Sequence, residues 1–418
     1  MRKMRVSGID WIGTIPQDWQ LSKIGSLYTQ RNEKVSDKDY QPLSVTMQGI
    51  LPQLATAAKT NDGDNRKLVR VGDFAINSRS DRRGSCGISP LDGSVSLINI
   101  ILTPRTAMHP GYYNWLFHTT LFADEFYKWG HGIVADLWTT RWQEMKSITV
   151  PVPEYAEQER IAAFLDAECA EIDAVLEKTR ASIEEYKKLK QAIITQAVTK
   201  GIRGDRPMKA SGIEWIGDIP KEWVCKKVKY VTSISRGIFN HRPRNDERYY
   251  GGEYPFIQTG DVAGAQKYIE SYSQTLNELG KSVSKCFPKG TLTMTIAANV
   301  GDAAILGFDA FFPDSVVGFI PNADINDEYL YYIFKAMKPE FVRTAIKSTQ
   351  LNLNVERIRD LFVPVVVQKS EQLEIAEYLN TKCADIDALI AKKQQYLTEI
   401  ENYKKSLIYE YVTGKREA

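Results

Sequence analysis

The sequence predicts a mixed α/β (α+β) chain written as an internal repeat, with two globular domains joined by two long antiparallel coiled-coil helices in a pseudo-twofold arrangement. Three observations carry this. A 13-residue motif at 7–19, Ser7-Gly-Ile-Asp-Trp-Ile-Gly-Thr-Ile-Pro-Gln-Asp-Trp19, returns at 211–223 with 9 of 13 positions identical. A second repeat aligns 157–200 with 371–414 without gaps, 16 of 44 positions being identical. The stretches between, about 24–150 and 228–363, align poorly yet echo one another in order.

Along the chain, the first motif and the first middle form a domain predicted at 1–155. Within it, residues 71–76 read as an apolar alternation after a turn, and 112–117 as a short aromatic helix. Pro151-Val-Pro153 marks the exit from that domain, and a helical segment at 156–203 follows. There Leu165, Ile172, Thr179, Tyr186 and Ile193 fall seven apart, and Cys169, Leu176, Ile183, Lys190 and Ala197 trail each by four. That is a heptad seam, and a helix of this length reaches roughly 66 Å. The turn-rich joint 201–207 leads to a second domain at 204–369, with 289–294 and 329–334 in the places of the earlier strand and aromatic helix. The final segment, 370–418, repeats the seam with Leu379, Ile386, Lys393, Ile400 and Leu407 beside Cys383, Ile390, Leu397, Lys404 and Tyr411. Neither helix is stable alone with its apolar stripe in water, so the simplest burial of both seams is mutual. The bland alternative packs each seam on its own domain.

Of the 418 residues 43% are hydrophobic and 25% charged, the composition of a well-packed chain. The longest apolar runs are too short for a membrane span and the N-terminus lacks a signal core, so a cytoplasmic protein without membrane association is expected. Five widely spaced cysteines with no Cys-x-x-Cys pair suggest neither a disulfide framework nor a zinc site. The net charge of +2 permits nucleic-acid binding without arguing for it.

A duplication that keeps its frame and changes its middles suits one chain that recognises two different things. A homodimeric DNA reader sees a palindrome because its two readers are identical; this chain would see two unlike half-sites. The best contact candidates are loops joining arginine to small polar residues. Residues 77–87 hold Arg79, Arg82 and Arg83, and 235–245 hold Arg236, Arg242 and Arg244, followed by Gln258 and Thr259. Arginine grips phosphate or pairs bidentately with guanine. Most loops of this composition are solvated tips without a ligand.

Catalytic signatures are not found. Gly280-Lys-Ser282 imitates the end of a phosphate loop, but Thr275 stands where its first glycine is required. Gly130-His-Gly-Ile-Val-Ala135 matches a dinucleotide pattern in letters only, because it follows an aromatic helical stretch. The four histidines form no metal or base pattern. Pro313-Asp314 has no acid-x-Lys partner of the nuclease kind, and no Asn-Pro-Pro-aromatic or Asp-Pro-Pro-aromatic tetrapeptide of amino-methyltransferases occurs.

The paired Trp-Ile-Gly-x-Ile-Pro-x-x-Trp motifs, the Val-Pro-Val-Pro run before Glu157-Gln158, the repeated Ile-Asp-Ala helices and the divergent middles resemble the specificity subunits of type I restriction-modification enzymes. The resemblance covers essentially the whole chain. It implies a non-catalytic DNA-recognition subunit whose middles are target recognition domains, each reading half of a split sequence in double-stranded DNA. The helices would act as a ruler and dock two methyltransferase subunits, with up to two restriction subunits joining them. No cofactor is implied for this chain, whereas S-adenosylmethionine, ATP and Mg belong to the partners. Trp11 and Trp215 would be buried joints bringing the N-terminal region near the end of the distal helix, in a roughly circular arrangement. No contact motif transfers from the family, since target domains diverge with the sequence they read. Alternatives are a specificity subunit serving a methylase-only or other restriction system, and a coiled-coil adaptor that binds only proteins.

Overall fold

The computed structural model of the chain describes residues 2–54, 63–132, 138–297, 299–347 and 351–418. The chain is mixed α/β and divides into two compact units, Met1–Arg180 with Gln394–Ala418, and Ala181–Lys393. The two long helices, Tyr155–Lys200 (central) and Lys369–Val412 (distal), each give one half to each unit. Four sequence segments thus become two units, because the helices pair with each other inside both.

In the first unit Phe164 stacks on Tyr411 with ring centroids 4.3 Å apart, Asp173 accepts from Lys404 at 2.6 Å, and Arg180 reaches Glu401 at 2.6 Å. Numbers rise on one helix as they fall on the other, so the pairing is antiparallel. The second unit repeats it, with Lys393 over the Tyr186 ring and Lys190 on Asp387 at 2.6 Å. Asp173 aligns with Asp387 and Lys190 with Lys404, so one repeated pair of residues forms the same bridge twice with its helices exchanged.

Of the predicted seam, Leu165, Leu176, Ile183, Leu379, Ile386, Ile390 and Leu407 are buried, while Ile172, Ile193 and Leu397 are half-buried. Near the end of the central helix the buried face moves from Ile193 to Ile194, Ala197 and Val198. A straight helix drifts from a strict seven-residue repeat, and here the core that receives it includes Ile216, Ile219 and Trp223 of the second domain as well as Ile375, Leu379 and Cys383 of the distal helix.

In the first unit an antiparallel sheet runs Cys86–Ile88, Phe74–Asn77, Asn99–Pro104, Tyr28–Arg31, covered by the helices Pro110–Phe117 and Thr120–Lys128. Tyr112, Tyr113, Phe117, Phe122 and Phe126 are buried there, and full burial of each phenylalanine favours folding by about 1.5–3 kcal/mol. In the second unit the main sheet has five strands, with Leu292–Thr295 in the place of Phe74–Asn77. The helix in the place of the aromatic pair is Asp327–Thr344, longer than the short aromatic helix expected from 329–334.

The repeated motif folds identically in both places. Ser7 Oγ accepts from Ile9 N at 3.1 Å and Ser211 Oγ from Ile213 N at 3.1 Å, while Gly13 (φ 71°) and Gly217 (φ 67°) supply the left-handed residue that closes each turn. Trp19 and Trp223 are buried at the end of each motif. Trp11 is likewise buried, edge-on to Phe122 at 5.8 Å, but Trp215 is only half-buried. This corrects the expectation for Trp215: its indole N–H donates to Phe362 O at 3.2 Å instead of entering an aromatic cluster. The joint with the distal helix is made at Ile12, whose carbonyl accepts from Tyr409 Oη and Lys415 Nζ.

Each domain is stapled to a helix start by the repeated Glu-Gln. Gln158 Oε1 accepts from His109 N at 2.9 Å and Gln372 Oε1 from Asn326 N at 2.8 Å, fixing the start of each covering helix. Glu157 pairs with Arg2, and Glu371 with Arg206 at 2.5 Å; Asp18 and Glu222 complete the two clusters. No helix among the described residues is long and apolar enough to cross a membrane.

Candidate nucleic-acid interface

The first arginine loop is closed at its base by Asn77 N donating to Ser85 O at 2.9 Å, and Gly84 (φ 76°) makes the turn. Buried Tyr127, whose phenol burial pushes well above its ordinary pKa, donates to Asn77 O at 3.1 Å and Arg82 O at 3.3 Å, tying the loop to the helix Thr120–Lys128. Ser80–Arg82 is a single 3-10 turn. Arg79 is half-buried at its inner end, bridged through its backbone to Thr139. Arg83 pairs with Asp124, which sequence reading did not connect with it. Arg82 is the most available: its side chain is 68% exposed and its nearest carboxylate, Asp81, stands 3.8 Å away. A pair that exposed and that long contributes little, so Arg82 can exchange it for a phosphate at small cost.

The second loop is drawn against residues 312–314, a closeness that requires glycine at 237. A Cβ there would collide with the carbonyls of Phe312 and Pro313. The approach brings all three predicted arginines to Asp314. Arg236 Nε donates to its backbone carbonyl, and Arg244 and Arg242 pair with its carboxylate, the latter at 3.3 Å. Beside them His241 stacks on Tyr249 with centroids 4.0 Å apart and contacts Asp246, and Lys285 Nζ donates to Ser235 Oγ at 2.6 Å. Chiefly through its hydrogen bond with Arg248, Asp246 is held well below the usual carboxylate range.

Gln258 and Thr259 do not join this cluster through any hydrogen bond or ion pair among the described residues. Gln258 caps the helix Thr259–Gly264 in a reciprocal box with Asp261, and its Nε2 donates to Gln274 Oε1 at 2.8 Å. Its amide is committed to structure. Gly280-Lys-Ser282 lies in the one-turn helix Glu278–Ser282, with Lys281 over the Tyr254 ring. Of the Gly130 run, 133–135 lie outside the described residues. Among the described residues no group of three or more His, Cys, Asp or Glu is arranged to hold a metal.

Residues 220–401 match the family described as the type I restriction modification DNA specificity domain. Over those residues the chain is similar to the type I restriction-modification specificity family. It is 22% identical over 426 residues to the MjaVIII specificity subunit of Methanocaldococcus jannaschii, covering 96% of this chain and 93% of that one. With the MjaIX specificity subunit of the same organism it shares 30% identity over 187 residues, spanning only 41% of that relative. A match to the StySPI specificity subunit of Salmonella potsdam is 22% identical over 211 residues, 47% of this chain and 44% of that one. Among solved structures, a chain from a study of complex assembly and conformational transition in the type I R-M system superposes with a TM-score of 0.76 at 14% identity, covering 96% of this chain and 99% of that one. The HsdS subunit from Thermoanaerobacter tengcongensis gives 0.51 at 16% identity, covering 96% and 98%. These likenesses share the fold.

Within the chain, the internally repeated frame and the arginine loops that differ between its two halves separate by residue. The Arg2 and Arg206 joints were missed in the sequence reading, although the repeat alignment places an arginine five residues before each Ser-Gly-Ile motif. Asp124 and Asp314 carried no readable signal as partners of the arginines, because that role comes only from which loops fold together.

Proposed function

We propose that this chain is the DNA-reading, non-catalytic subunit of a type I restriction-modification complex, with its two domains reading two unlike half-sites of a split, asymmetric target in double-stranded DNA. The observation that carries this reading is the contrast between frame and loops. The joints at Arg2 and Arg206, the staples at Gln158 and Gln372 and the helix bridges repeat residue for residue, whereas the arginine loops differ in position, length and partner. Two readers in one frame, with different reading loops, suit one chain with two targets. The helices serve two methyltransferase subunits, and two restriction subunits where the host encodes them. Those partners bring S-adenosylmethionine for adenine methylation, and ATP and Mg for translocation and cleavage. The reading places the complex in the cytoplasm, where its DNA is.

The test is a long-read methylation map of a methylase-deficient host expressing the chain with its neighbouring methyltransferase, against the same host lacking the chain. A split, non-palindromic adenine-methylated motif that depends on the chain is the expected result. No new motif despite a soluble complex overturns the proposal.

A further inference from the structure

Asp314 is a carboxylate with a built surround and no part in the frame. Its backbone carbonyl receives Arg236, and its side chain, 32% exposed, receives Arg242 and Arg244. The arginines are themselves fastened. Arg242 Nη1 donates to Phe239 O at 2.6 Å and His241 O at 2.8 Å, leaving Nη2 to Asp314, and Tyr250 Oη holds the Arg244 carbonyl. With Gly237 enforcing the loop contact, the guanidinium groups are ordered by the protein before any ligand arrives. Three arginines against one carboxylate leave the cluster two charges positive instead of three.

Free, exposed arginines bind any phosphate and add sequence-independent affinity that falls steeply with salt. An acid that already occupies their planar ends opposes that contact and keeps them turned for a geometry in which the exchange is repaid. We propose that Asp314 is a specificity-determining residue of the second domain, which withholds Arg242 and Arg244 from indiscriminate phosphate binding. It is a positioning residue, acting through the two arginines. This rests on the reading of the second domain as a DNA reader.

The test uses the full chain assembled with its methyltransferase partner, titrated against a cognate duplex and one whose second half-site is scrambled, across a range of salt. Asp314→Asn should leave cognate affinity within about twofold while raising affinity for the scrambled duplex roughly five- to tenfold, the weight of about one added phosphate contact. The slope of log affinity against log salt for that duplex should steepen by about 1. Asp314→Glu should behave as wild type, and discrimination at an altered first half-site should not change, which together report a folded complex. Equal affinities and slopes for Asp314→Asn and wild type, or a parallel loss on both duplexes, overturn the inference. If the wild-type complex itself fails to discriminate either half-site, the underlying reading of the chain fails instead.

Discussion

Replacing Arg206 by Met removes the cation from a joint in which its own side chain and that of Glu371 are largely shielded from solvent. Arg206 is 13% exposed in its side chain and Glu371 3%, and the guanidinium lies 5.8 Å from the centre of the Trp223 ring. Breaking a buried pair from one side costs about 3–5 kcal/mol, because the remaining charge keeps its desolvation and loses its partner. Glu371 lies in the first turn of the distal helix, where the helix dipole returns about 0.3–1 kcal/mol to a carboxylate. Loss of the cation–π contact adds back about 0.5–1 kcal/mol. The exposed Glu222 arm changes little. The net expectation for Arg206→Met is about 2.5–5.5 kcal/mol, or a fall in melting temperature of roughly 5–22 °C for a unit of about 200 residues. Urea and thermal unfolding of the single variants and of Arg206→Met/Glu371→Gln measure it. The double variant should recover at least half of the summed loss, since no orphaned charge remains. Single losses below about 1 kcal/mol, or a double that simply adds, would refute the claim that this pair is a buried lock.

Three further outcomes follow from the same geometry. Arg82→Ala with Arg83→Ala should weaken or relax only the half-site read by the first domain, lowering the salt slope by up to about 2, and a methylation map with both half-sites unchanged would remove that loop from the interface. Ile172→Pro should cost about 3 kcal/mol or more by breaking the central helix, lowering helical circular dichroism and abolishing partner assembly, whereas Ile172→Ala, at a half-buried position, should retain both. Burial lowers the Lys415 ammonium to about 8, below its unfolded value, so the unfolded chain binds the extra proton between the two. The stability of wild type minus Lys415→Met should therefore rise as pH goes from about 8 towards 10 and be flat below 8; a difference that is level throughout would contradict it.

The sequence by itself determined the frame. A repeated motif, a heptad seam and a repeated Glu-Gln are local patterns whose partners recur at fixed offsets, so aligning the chain with itself exposes them. Asp173 with Lys404 and Asp387 with Lys190 even follow from the repeat once the helices are taken as antiparallel. What only the tertiary structure decided is which exposed side chains meet. Trp11 is covered by Phe122 while its counterpart Trp215 is not, because the covering helices differ between the domains. Arg83 finds Asp124, and three arginines find Asp314, across loops whose sequences carry no period. Periodic burial writes itself into sequence because each apolar face must be shielded along its whole length. A polar contact between two loops needs only one suitable residue on each side, and its geometry is set by the folded backbone that brings them together.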